Sequence, residues 1–222
     1  MHEHIENVIL NTTSKIEEDN MKKINKKGFT LIELLAVIVI LGVLLAIAVP
    51  AVTKYINSSK KSGYIANIKR FMDSARSEVL DGEYNAPVST NEATVIYFDH
   101  LQPKLEKGGR TSSYGAEYDM NSSFILIVNE GTAEKTDYKY YVAARDNNGY
   151  GIGTGEGTNT AAAIIQEDDL KSSNIVQLQT GVTVTNENQS HNGQLTTASL
   201  SIQPVGFTAE NPVNVTRIYK AN

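Results

Sequence analysis

One stretch limits every fold open to this chain: the run Phe29–Val49, 21 residues in which Glu33 is the only charged side chain. A helix rises about 1.5 Å per residue, so the run spans roughly 30 Å, the thickness of a bilayer's hydrocarbon core. Length and composition therefore predict a transmembrane helix over 29–49. Glu33 does not suit a plain anchor. A carboxylate about one turn inside an apolar helix costs about 2.5–3.5 kcal/mol on insertion scales, and Leu would hold better. Its presence predicts a partner charge that is supplied later. Pro50 closes the run and is expected to break or loosen the helix, because proline has no N–H to bond the preceding turn.

The octapeptide Lys26-Lys27-Gly28-Phe29-Thr30-Leu31-Ile32-Glu33, with the apolar continuation to Pro50, resembles the cleavage and methylation site of type IV prepilins and of the related pseudopilins of secretion and competence systems. The resemblance is close from Lys22 to about Thr53 and is one of layout beyond that. It implies cleavage after Gly28 by a prepilin peptidase and methylase, with N-methylation of the new amine at Phe29. It also implies that Glu33 of one subunit meets the Phe29 amine of its neighbour during assembly. A pair of charges buried together offsets the cost each carries alone, and only one axial offset brings them together. Gly28 suits the first role physically, since a residue without a side chain leaves the scissile backbone open to a peptidase.

The implied partners are other copies of the chain in a homopolymeric filament, the peptidase, an inner-membrane pilus assembly platform, and the lipid bilayer before assembly. Family roles include adhesion and twitching motility, and the filament lies outside the cell. Lys22, Lys23, Lys26 and Lys27 precede the helix and favour keeping that end in the cytoplasm; Lys54, Lys60 and Lys61 after it partly oppose the bias. Met21–Gly28 forms a complete short leader by itself. Residues 1–28 as a whole are expected to be a leader; residues 1–20 are mixed polar and charged, with no apolar signal region, which leaves two starts open, a long leader from Met1 or a short one from Met21. Residues 1–28 carry equal numbers of Lys and of acidic side chains, so the net charge of −5 survives their removal.

Beyond Pro50 the pattern becomes amphipathic. Ile65, Ile68, Met72, Ala75 and Val79 recur at three and four residues, with Lys69, Arg70, Asp73 and Arg76 between them. One helix in two parts is expected over 29–81, stopped at Asp81-Gly82, with a second soft point at Asn57–Gly63. Residues 82–222 are expected to form a β-rich head. Within it, 83–122 read as loop-rich, with a short strand or helical turn at 97–101. Phe124–Val128 and Tyr138–Ala144 read as strands, with a turn at Arg145–Gly149. A short helix is expected over 161–170, and further strands over 176–184, 194–202 and 213–219. The expected fold class is α+β, a type IV pilin lollipop: a long N-terminal helix packed on an antiparallel sheet.

Chemistry for catalysis is sparse. The chain has no Cys, which excludes disulfides and thiolate metal sites; many pilins of Gram-negative bacteria close a C-terminal loop with a disulfide, and this one departs from that. His100 and His191 stand outside any metal-ligand spacing. Gly151, Gly153, Gly155 and Gly157 alternate without a following Lys-Ser/Thr, so they read as a flexible or closely packed loop rather than a phosphate cradle. Asp146-Asn-Asn-Gly149 and Glu167-Asp168-Asp169 resemble fragments of a calcium site, since some pseudopilins bind calcium; solvated acids are the default, and no cofactor is expected. The cations from Lys54 to Arg70 read as a solvated or subunit-facing stripe, not a nucleic-acid site. The expected function is thus a structural pilus subunit without enzymatic activity. The alternatives are a minor pilin or pseudopilin of a type II secretion or DNA-uptake filament, and a membrane-anchored ligand-binding module or enzyme.

Overall fold

The computed structural model describes residues 28–101, 109–132, 134–155, 157, 158, 160–186, 193 and 195–220. The chain divides into two compact units, with the boundary between Ala51 and Val52. The leader lysines Lys22, Lys23, Lys26 and Lys27, both candidate start methionines and His191 lie outside the described residues.

The first unit is the opening of helix α1, which runs Leu31–Leu80. Its apolar side chains touch little of their own fold: Leu35 is 56% exposed, Leu44 58% and Ile47 72%. The helix continues through Pro50 without interruption. Pro50 withholds a hydrogen bond from the Ala46 carbonyl, but the neighbouring turns keep their helical bonding.

In the second unit, residues 52–80 of α1 turn one stripe inward. Tyr64, Ile68, Phe71, Met72 and Ala75 are buried, and Ile65 and Val79 pack beside them when half-buried. The Asn57–Gly63 stretch is regular helix, not a break. Gly63 sits where a Cβ would come within 3.3 Å of Ser113 Cβ, and the Ser113 hydroxyl donates to the Lys60 carbonyl at 2.6 Å. Small residues there let the 111–117 loop approach the helix. The helix ends as expected: Gly82 adopts φ +82°, its N–H bonds the Val79 carbonyl, and the Glu83 N–H bonds the Glu78 carbonyl at 3.0 Å. That closing pattern satisfies carbonyls that the last turn would otherwise strand.

Among the described residues nine strands follow: β1 Glu92–Tyr97, β2 Phe124–Asn129, β3 Tyr138–Ala143, β4 Tyr150–Ile152, β5 Ile165–Gln166, β6 Ile175–Gln177, β7 Val184–Asn186, β8 Leu195–Leu200 and β9 Asn214–Tyr219. Seven form one sheet in the order β5-β3-β2-β1-β9-β8-β7, while β4 pairs with β6 apart from it. The main sheet is antiparallel except for β1 and β9, which run parallel. Ile96, Ile125, Ile127 and Val142 meet the helix stripe on one face. Val95, Leu126, Val128 and Tyr141 face a second core that includes Ile164, Val176, Val182 and Val215. Both faces of β2 are therefore buried, which explains its unbroken apolar run.

Several local expectations are corrected. The loop-rich reading of 83–122 overlooked β1, the strand that links the two halves of the sheet. It begins after Asn91, the only described non-glycine residue with positive φ. Residues 161–170 form no α-helix. Ala162 to Ile165 are all buried in extended backbone, followed by a single 3-10 turn at Glu167–Asp169. Burial of four consecutive side chains outweighs alanine's modest helix preference. The expected strand over 176–184 is split between β6 and β7, which belong to different sheets.

Candidate functional site

The N-terminal turn of α1 is built by its own sequence. Gly28, Phe29 and Thr30 precede the first helical residue. The Thr30 N–H and hydroxyl both donate to Glu33 Oε2 at 2.8 Å, and the Glu33 N–H donates back to Thr30 Oγ1 at 3.2 Å. The Leu34 N–H reaches the Thr30 carbonyl at 3.2 Å. This reciprocal arrangement is a capping box, in which side chains satisfy amides that a helix start leaves free. The Thr-x-x-Glu spacing announces it, yet sequence reasoning assigned Glu33 only to a partner outside the chain.

The peptide bond between Gly28 and Phe29 lies outside the helix, just before the cap. Phe29 is 86% exposed, and a Cβ placed on Gly28 would meet nothing within 4 Å. Glu33 is also exposed, and Oε1 takes no hydrogen bond among the described residues. Gly28 and Phe29 are thus exposed, and a carboxylate with one oxygen still open stands a turn further along. The helix from Leu31 is long and apolar enough to cross a membrane by length and composition, and none of its most apolar window is buried.

Two of the acidic candidates in the second unit, Asp146 and Glu167, are engaged in the fold, while Asp168 and Asp169 are exposed. Asp146 is buried in the turn after β3; its Oδ1 accepts the N–H groups of Asn148 at 3.0 Å and Tyr150 at 2.9 Å, and its Oδ2 accepts the Ser112 hydroxyl at 2.6 Å. Burial pushes the Asp146 carboxyl above the ordinary aspartate range, against the opposing pull of those donors. Glu167 receives Arg76 Nη2 at 2.6 Å, which ties the 3-10 turn to α1. The described residues contain no cluster of three or more His, Cys, Asp or Glu side chains that could hold a metal ion. His100 packs against Tyr84 and Tyr219, with the Tyr84 hydroxyl 2.8 Å from both its Nδ1 and its carbonyl.

The alternating glycines are packing devices at two positions. A Cβ on Gly153 would lie 2.7 Å from the Ala161 carbonyl and 2.8 Å from a Val176 methyl, and Gly151 is equally hemmed in by Ala144 and Leu178. Gly151 in β4 and Gly153 just after it are therefore closely packed positions rather than an open cradle.

The family model for the prokaryotic N-terminal methylation motif matches residues 23–49. Among curated proteins, a fimbrial protein of Pseudomonas aeruginosa is 26% identical over 126 residues, covering 56% of this chain and 82% of that one. A type IV major alpha-pilin of Moraxella bovis is 50% identical over 72 residues, 31% of this chain and 42% of the relative. A ComG operon protein 3 homolog of Bacillus licheniformis is 51% identical over 39 residues, 18% and 40% of the respective chains. No solved structure matches. The capped apolar helix, the methylation motif across its start and similarity to fimbrial proteins that extends beyond it together support a type IV pilin family for this chain.

Proposed function

We propose that this chain is a structural subunit of an extracellular type IV pilus, cut after Gly28, methylated on the Phe29 amine and assembled through α1. The observation that carries this is an apolar helix of membrane-spanning length that its own fold leaves bare, opened by an accessible Gly28-Phe29 bond and a capping Glu33. Before assembly the bare helix resides in the cytoplasmic membrane, with the leader lysines on the cytoplasmic side. In the filament, neighbouring helices replace lipid around it. Glu33 keeps Thr30 on Oε2 and offers Oε1 to the Phe29 amine of the next subunit, so one carboxylate both caps its own helix and selects register. The head serves as the filament's outer surface and performs no catalysis. A prepilin peptidase and methylase and an inner-membrane assembly platform are the proposed transient partners.

Two substitutions test this in cells that build the filament. Gly28→Leu leaves an uncut chain in the membrane; cutting at the normal rate would show the site to be misassigned. Glu33→Ala is cut and methylated normally and fails to reach the sheared surface fraction. Normal filament yield from that variant would rule out the pairing of Glu33 with a neighbour's amine.

A further inference from the structure

The outer part of helix α1 and the turn that ends it carry charge in two separated blocks. Residues 61–70 hold Lys61, Lys69 and Arg70 and no acid; residues 78–83 hold Glu78, Asp81 and Glu83 and no base. The charges between them neutralise each other: Arg76 lies 2.7 Å from Asp73 and 2.6 Å from Glu167. None of the six block residues takes part in an ion pair among the described residues. Arg70 and Glu78 stand eight residues apart, about 12 Å along the axis, which exceeds the screening length of roughly 8 Å in physiological salt. The two blocks therefore do not satisfy one another within a single chain.

The acidic block also opposes its own helix. Carboxylates at a helix C-terminus face the negative end of the backbone dipole, and no cation stands in the last turn to relieve them. A surface that works against the local fold calls for a counterpart elsewhere. Lys69, Arg70, Asp81 and Glu83 are all exposed, and small exposed residues such as Ser62 and Ala66 leave room beside the cationic block for another helix.

We infer that the two blocks form an electrostatic register between subunits, in which residues 78–83 of one copy dock beside residues 61–70 of a second, parallel copy. The spacing from Glu78 back to Arg70 and to Lys61 sets the stagger at roughly 12–26 Å along the helix axis. The occupant is a second copy because one chain supplies both halves, displaced along one axis. Complementary patches related by translation make a head-to-tail contact that does not close on itself, and such contacts generate filaments. This register rests on the pilus-subunit reading and adds to it an outer contact, separate from the one at Glu33.

The test uses the full-length chain in piliated cells and compares sheared filament with the processed membrane pool. Lys69→Glu with Arg70→Glu, and separately Asp81→Lys with Glu83→Lys, each lower the sheared fraction by at least about tenfold, since like charges now face each other. All four together restore most of it. A fourfold variant no better than either reversal overturns the register. Loss on reversing the cations alone, with the acid reversal silent, assigns the cationic block to anionic lipid headgroups and also overturns it. Purified wild-type filaments provide a check that needs no variant: they shed subunits as sodium chloride is raised, and indifference to salt counts against the register. Absence of any filament from the wild-type chain would instead defeat the pilus reading itself.

Discussion

Replacing Asp146 with alanine removes three hydrogen bonds at once: two from the backbone amides of Asn148 and Tyr150 and one from the Ser112 hydroxyl. Hydrogen bonds to a charged acceptor contribute about 1.5–3 kcal/mol each, and removing the acceptor strands the donors. The exposed neighbours Asn147 and Asn148 let water reach part of the site, and the desolvation cost of the carboxylate is recovered. The net loss works out at about 3 kcal/mol, or roughly 6–12 °C in Tm for a unit of this size. Asp146→Asn behaves differently. Its carbonyl oxygen keeps both amides and its amide donates to Ser112 Oγ, so stability stays within about 1 kcal/mol of the parent at neutral pH.

The pH dependence separates the two further. The folded carboxyl binds its proton more tightly than the unfolded one. Its stability contribution is therefore greatest below the unfolded value of about 3.9 and falls as pH rises through the raised folded value. The asparagine variant lacks that slope and gains on the parent as pH increases. Thermal melts of the 52–222 unit, with and without added calcium, measure all of this. Asp146 has both oxygens committed, so calcium leaves Tm unchanged. If asparagine costs as much as alanine and calcium raises the parent's Tm, the turn is an ion site and the hydrogen-bond account is refuted.

Gly153→Ala places a methyl about 0.7 Å inside ordinary contact with the Ala161 carbonyl, from the 2.7 Å Cβ approach, and costs about 1–3 kcal/mol by overpacking, read as a lower urea midpoint. Gly157→Ala, at a glycine with open space but φ +97°, tests backbone strain instead, with a smaller loss of about 1 kcal/mol expected. Burial pushes the phenols of Tyr84 and Tyr97 up to about 12. An unfolded tyrosine ionises near pH 10, so the folded unit loses stability as pH rises from about 10 toward 12. Tyrosinate absorbance that lags the exposed tyrosines and then rises together with unfolding checks it; simple titration of all tyrosines near pH 10 without unfolding would contradict it.

The parts of the fold that were legible are those in which one local rule acts alone. Phe29–Val49 is an apolar run that is exposed among the described residues. Phe124–Asn129 is continuous because helix and loops bury both its faces. Asp81-Gly82 stops the helix because glycine accepts φ +82°. The misses arise where distant segments decide. β1 lies behind the turn residues Asn85 to Asn91, and the parallel pairing with β9 joins residues more than a hundred positions apart. Residues 161–165 carry helix-favouring alanines but fill the gap beside β4 and β6. At the candidate site the motif names Gly28, Phe29 and Glu33, whose cutting, methylation and pairing are proposals. The capping role of Thr30 lies in the same octapeptide as a Thr-x-x-Glu spacing, and it gives Glu33 a partner within the chain beside any it finds outside.

The central claim is that this chain is cut at Gly28 and polymerises through the helix that follows. Intact-mass and N-terminal peptide analysis of material sheared from the surface of producing cells tests it most directly. The account predicts an abundant species that begins at N-methylated Phe29 and retains the head to its C-terminus. The same processed species found only in membranes or in trace would assign the chain to a minor or secretion-type filament. An uncut chain that still carries the residues before Phe29 would contradict the account.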